Sequence, residues 1–291
     1  VLVVEEDKVR KSVREGYAKI AEDRLCCGSS ATCCGDSTYE EMSKKFGYTE
    51  EELKSVPEGS NLGLGCGNPA ALASLKEGET AIDLGAGGGV DCFLAAKKVG
   101  KSGKVIGVDM TPAMIDKARE NARKGNYKNV EFRLGEIENL PVADNTADVI
   151  MSNCVINLAP NKKKVFEEAF RVLRPGGRLM VSDIVLLKEL SETIRKKAHP
   201  ASCVKGAMMK DKYLETIGHA GFEDVRIIKE TQYSFEDVVS DPNAKVIVAD
   251  GKKPTQELKK ISELGKEAQK GVKDTMSAAM SISVSAIKPL K

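Results

Sequence analysis

The chain has 291 residues, 41% of them hydrophobic and 30% charged, which suits a folded protein with a sizeable core and excludes a disordered or fibrous chain. Its 45 Lys and Arg stand against 43 Asp and Glu, so the net charge of +2 gives no bulk electrostatic case for binding nucleic acid or membrane. No apolar run reaches bilayer length and the start does not read as a signal peptide, so the expected location is cytoplasmic.

Taken in chain order, residues 5–22 carry Val9, Val13, Tyr17 and Ile20 at helical spacing on a charged background, an amphipathic helix. Cys26, Cys27, Cys33 and Cys34 follow in a small-residue loop. Ser37 can cap a helix reaching Phe46, and Thr49 with Glu52 forms a capping box for a third, short one. A Gly-rich loop then spans 57–69 and contains Cys66.

From residue 80 the pattern alternates. Strands are predicted at 80–84, 104–109, 129–134, 148–152 and 178–187. Helices are predicted at 90–99, after the Thr111-Pro112 start, and at 162–173 with Val165, Phe166, Ala169, Phe170 and Leu173 inward. Arg174-Pro175-Gly176-Gly177 reads as a turn. Beyond 188 come a helix at 211–220, a strand at 224–229, a charged segment at 250–274 and a last strand at 281–288. Such βα alternation predicts an α/β doubly wound, mostly parallel sheet. Three regions are expected: a helical segment 1–60, a ligand-binding core 61–187, and a cap with final strands 188–291.

The strongest motif is Asp83-Leu84-Gly85-Ala86-Gly87-Gly88-Gly89, at a strand end and a helix start. Glycines there permit a tight turn and close approach of a ligand. Val90 replaces the third glycine of a dinucleotide fingerprint, which weighs against NAD or FAD. The spacing resembles motif I of class I methyltransferases, which have a Rossmann-like core and bind S-adenosylmethionine. In that resemblance Asp83, Gly85, Gly87 and Gly89 shape the cofactor loop. Asp109, ending the second strand, accepts from the ribose hydroxyls, and Met110 packs on adenine. By similarity to ubiquinone-type methyltransferases, Glu136 or the backbone at Ile137 reads the adenine edge. Asn153, just after the fourth strand, joins the cofactor-binding set.

Eight cysteines with only two histidines point away from a His-rich metal site. In a reducing compartment they are not expected to form a static disulfide framework. Ligands of α/β sheets bind outside the carboxyl ends of the strands, which puts Cys154 beside the methyl donor. Cys66 and Cys203 lie on segments that can fold over the same rim. Three thiolates suit a soft, thiophilic centre. Trivalent arsenic takes three sulfurs in a trigonal pyramid, leaving its lone pair free to attack a sulfonium methyl without a general base. Zinc prefers four ligands and has no lone pair to methylate. Over residues 40–230, Cys66, Cys154 and Cys203 with their surroundings resemble the three arsenic-binding cysteines of the arsenite methyltransferase family.

That resemblance implies successive methylation of arsenite and methylarsenite for detoxification, with a thiol reductant, thioredoxin or glutathione with it, regenerating the thiols. Members of the family often carry an N-terminal cysteine in a thiol relay or in arsenic capture. Cys26, Cys27, Cys33 and Cys34 are candidates for it, beside the plainer reading of a surface loop. Cys92 is expected to pack in the core. Two alternatives stay open. A quinone-type or other small-metabolite acceptor would need a base, for which Asn157, Asp183 and His199 are weak candidates. A thiol-based metalloid-binding or sensing protein would bind arsenite but no cofactor. The stripe Leu258, Ile261, Leu264 and Ala268 is read as a helix packed on the core, with a partner-binding helix as the alternative. Oligomeric state is open.

Overall fold

A computed structural model describes residues 2–23, 40, 43–44, 47–65, 67–68, 74–190, 203–232 and 277–291. Cys26, Cys27, Cys33, Cys34, Cys66, His199, the segment 250–274 and most of the expected helix from Ser37 to Phe46 lie outside the described residues.

Helix α1 (Leu2–Asp23) and the short α2 (Glu50–Lys54) precede the sheet. The Thr49–Glu52 capping box forms as expected, each side chain accepting from the other's backbone N–H. The alternating part runs β1 (Thr80–Leu84), α3 (Val90–Val99), β2 (Lys104–Asp109), α4 (Pro112–Lys124), β3 (Val130–Leu134), β4 (Ala147–Asn153), a 3₁₀ turn (Ile156–Leu158), α5 (Lys162–Val172) and β5 (Leu173–Leu186). It ends with α6 (Cys203–Gly206), α7 (Lys210–His219), β6 (Glu223–Thr231) and β7 (Ala279–Ile287).

The described strands form one sheet in the order β3-β2-β1-β4-β5-β7-β6. The first five are parallel, and β7 runs antiparallel to both β5 and β6. Side chains alternate across it, as a two-residue period requires. Ile82, Ile106 and Ile150 pack on one face with Phe166 of α5 and Ile217 of α7. Ala81, Val105 and Val149 pack on the other with Phe93 of α3 and Ile115 of α4. The chain order reverses between β1 and β4, and a cleft opens at their carboxyl ends.

Two expectations shift. Thr111 makes no side-chain cap bond, and its N–H goes to Asp109 instead. The Arg174–Gly177 turn lies inside β5: pairing with β4 jumps from Ala147/Leu173 to Val149/Arg178. Lys288 brackets the bulge, accepting from Gly176 N–H at 2.8 Å and donating to Gly177 O at 2.9 Å. Among the described residues no helix is long and apolar enough to cross a membrane.

Candidate active site

The cleft encloses about 1070 Å³ of empty space, open mouth included. One wall is the turn after β1. Gly85 has φ +73°, and a Cβ there would stand 2.4 Å from a methyl of Val155, so the turn seats directly on the residue after Cys154. Asp109 closes the turn from β2: its carboxylate accepts from Gly87 N–H at 3.0 Å and from Thr111 N–H at 2.8 Å. Burial raises the Asp109 pKa, and these two N–H groups oppose the rise.

Of the expected cofactor residues, Asp83, Gly85, Gly87, Asp109, Met110, Ile137 and Asn153 line the cleft. Beside Ile137 the lining residue is Glu138, while Glu136 pairs with Arg10 of α1 at 3.5 Å. The same Arg10 reaches Glu138 at 3.2 Å. Asp83 accepts from the Cys92 thiol at 3.2 Å; burial holds the Asp83 carboxyl and the Cys92 thiol both well above their ordinary pKa values. Cys92 is buried in the core, as expected.

Sequence reasoning missed a buried polar bracket. The Tyr48 hydroxyl donates to Asp91 at 2.7 Å, and Asn153 Nδ2 lies 2.9 Å from Tyr48 Oη and 3.2 Å from the second Asp91 oxygen. Asn153 also grips Gly67 at both backbone groups, taking its N–H at 3.2 Å and donating to its carbonyl at 2.7 Å. A Cβ on Gly65 would stand 2.4 Å from the same amide nitrogen. Of the residues flanking Cys66, Gly67 is therefore hydrogen-bonded to the residue before Cys154 and Gly65 packs closely against it. Burial pushes Asp91 up to about 6, against the lowering effect of its Tyr48 and Asn153 hydrogen bonds.

The two described candidate ligands come together. Cys154 Sγ and Cys203 Sγ are 3.3 Å apart, beyond a disulfide bond, and the Cys203 thiol also lies 3.2 Å from the Cys154 carbonyl oxygen. Cys154 sits at φ +62°, a left-handed conformation that costs a non-glycine residue roughly 1–2 kcal/mol. Such strain marks a place where the surroundings dictate geometry. Its N–H is held by Ser182 O at 2.8 Å.

Helix α1 supplies a further wall. Val13 and Leu158 form a small apolar cluster joined by Tyr17, Met110, Val155 and Cys203. Arg10, Val13 and Tyr17 share one helical face over the cleft. The stripe was readable; the cation upon it was the remaining signal. Of the weak base candidates, Asn157 and Asp183 do not line the cleft. Asp183 lies beneath Tyr213, whose hydroxyl donates to it at 3.1 Å, and burial pushes its pKa up to about 7.

Residues 75–221 match a family model described as a methyltransferase domain. An arsenite methyltransferase of Halobacterium salinarum is 49% identical over 230 residues, which are 76% of this chain and 59% of that protein. Another, of Aquipseudomonas alcaligenes, is 36% identical over 238 residues, 79% of this chain and 66% of that one. The chain thus spans less than two thirds of the length of either relative. Among solved structures, an arsenic(III) S-adenosylmethionine methyltransferase from Chlamydomonas reinhardtii superposes with a TM-score of 0.58 at 28% identity. That match covers 88% of this chain and 74% of the other.

Proposed function

This chain belongs to the methyltransferase-domain family, and on that premise we propose that it moves the methyl group of S-adenosylmethionine to trivalent arsenic held by Cys66, Cys154 and Cys203. The observation that carries the reading is the 3.3 Å approach of the Cys154 and Cys203 sulfurs beside the cleft. The hydrogen bonds of Gly67 to Asn153, with Gly65 packed against the same side chain, support Cys66 as the third ligand. The names of the similar proteins support the same substrate.

The cleft residues fit a nucleoside-bearing donor. Asp109 offers carboxylate lone pairs at the rim, with the apolar Met110 and Ile137 beside it, as an adenosine with ribose hydroxyls requires. Bound there, S-adenosylmethionine supplies an electrophilic methyl group on a positively charged sulfur. The glycine turn admits the ligand's close approach, while α1 covers the cleft and limits water.

Arsenite enters by exchange. Each cysteine thiol forms a sulfur–arsenic bond and passes its proton to a departing hydroxyl, so three thiols release three waters. The trigonal centre keeps its lone pair as nucleophile, and no protein base has to remove a proton from it. Asp183 and Asn157, outside the cleft, then have no proton to take. A thiol reductant, thioredoxin or glutathione with it, returns the arsenic to its trivalent state between rounds, and the outcome for the cell is arsenic detoxification. Arsenic K-edge absorption on the full chain with arsenite tests the ligand set. Three sulfur neighbours are expected, and an oxygen-dominated shell contradicts the reading.

A further inference from the structure

We propose that Gly206 and Asn157 are positioning residues that seat Cys203 on Cys154, an inference whose bearing on catalysis rests on the arsenic-methylating reading. Helix α6, Cys203–Gly206, is a single turn of four residues and has no stability of its own. Something outside it must hold the Cys203 sulfur where it lies.

The spacing of the two segments supplies the answer. Cys154-Val155-Ile156-Asn157 and Cys203-Val204-Lys205-Gly206 both place a partner three residues after the cysteine. Laid side by side, sulfur meets sulfur at one end and Gly206 meets Asn157 at the other. A Cβ on Gly206 would stand 1.9 Å from the Asn157 carbonyl oxygen and 2.9 Å from its carbon. These are backbone atoms and cannot swing aside.

Asn157 is a fixed seat. Its Nδ2 donates to Ile184 O at 2.6 Å, tying the 3₁₀ turn to β5. Its carbonyl also receives Lys162 Nζ at 3.4 Å. Just beyond α6, Leu186 N–H donates to Met208 O at 2.8 Å, fastening the far side of the segment to β5. Cys203 and Gly206 share one face of their turn, so lifting Gly206 lifts Cys203 from Cys154.

The test uses the reduced full chain and diamide, a two-electron thiol oxidant. Formation of the Cys154–Cys203 disulfide is timed by mass spectrometry of its digested peptides, which isolates this pair from the other cysteines. Gly206→Ala is expected to slow it roughly tenfold or more, because disulfide closure tolerates little displacement. Gly218→Ala, whose Cβ would meet nothing within 4 Å, is the matched control and keeps the wild-type rate. Asn157→Ser retains the carbonyl seat and loses the tie to Ile184, so a few-fold slowing is expected. It decides the matter if Gly206→Ala does not fold. Wild-type cross-linking in either folded variant overturns the proposal. Failure of the wild type to methylate arsenite, with the cross-linking contrast intact, overturns the catalytic reading and leaves the seating standing.

Discussion

Asn153 holds Gly67 by both backbone groups, at 3.2 Å and 2.7 Å, while it stands next in sequence to Cys154. One amide therefore fastens the loop that carries Cys66 to the strand end that presents Cys154. Tyr48 and Asp91 hold that amide from behind. Tyr48→Phe removes a buried donor to Asp91 and is expected to cost about 1–3 kcal/mol in urea unfolding. The arsenite KM should rise more than the S-adenosylmethionine KM. A rise confined to the S-adenosylmethionine KM would place the bracket in the cofactor site alone.

Asp109 gathers two backbone N–H groups and leaves lone pairs toward the cleft. Asp109→Ala orphans both donors and removes the proposed ribose acceptor. Calorimetric titration with S-adenosylhomocysteine is expected to weaken by about 1.5–3 kcal/mol, the range for hydrogen bonds to a charged group. Unaltered affinity would rule out the ribose role.

Burial holds the Asp183 carboxyl near 7, well above its ordinary value. The folded chain then carries a proton there that the unfolded chain has already lost. Stability is full below the unfolded value, declines as pH rises from about 4 to about 7, and levels off above. Asp83 and Asp91 shift in the same direction. Urea midpoints at pH 5 and pH 8 should therefore favour pH 5. Asp183→Asn should shrink the difference by about 2 kcal/mol. A slope unchanged by that substitution would show that Asp183 ionises normally.

Much of this was legible in the amino acids because it is local. The bounds of β1 and α3 follow from apolar runs stopped by Gly85 and Gly100, β2 is the apolar run between Gly103 and the Thr111-Pro112 helix start, and the turn after β1 follows from its glycine spacing. What stayed hidden depends on residues distant in sequence. The Arg174–Gly177 bulge is recognised only when Lys288 pairs across it. Arg10 reaches Glu138 from 128 positions away, and nothing near either residue announces the other. Tyr48 and Asp91 read as ordinary, and Asn153 as a cofactor residue alone, until the fold closes the three into one bracket. Cys203 could be assigned to the rim from the sequence, but its seat on Cys154 depends on the bare backbone contact of Gly206 with Asn157.

The proposed reaction is methyl transfer to arsenic on three thiolates. It is tested most directly by transfer of labelled methyl from S-adenosylmethionine to arsenite, with a thiol reductant, in the wild type and in Cys66→Ser, Cys154→Ser and Cys203→Ser. Labelled methylarsenicals are expected from the wild type, with a loss of roughly a hundredfold or more in each variant, as when a ligand of a soft centre is removed. Unchanged turnover in all three variants would contradict it.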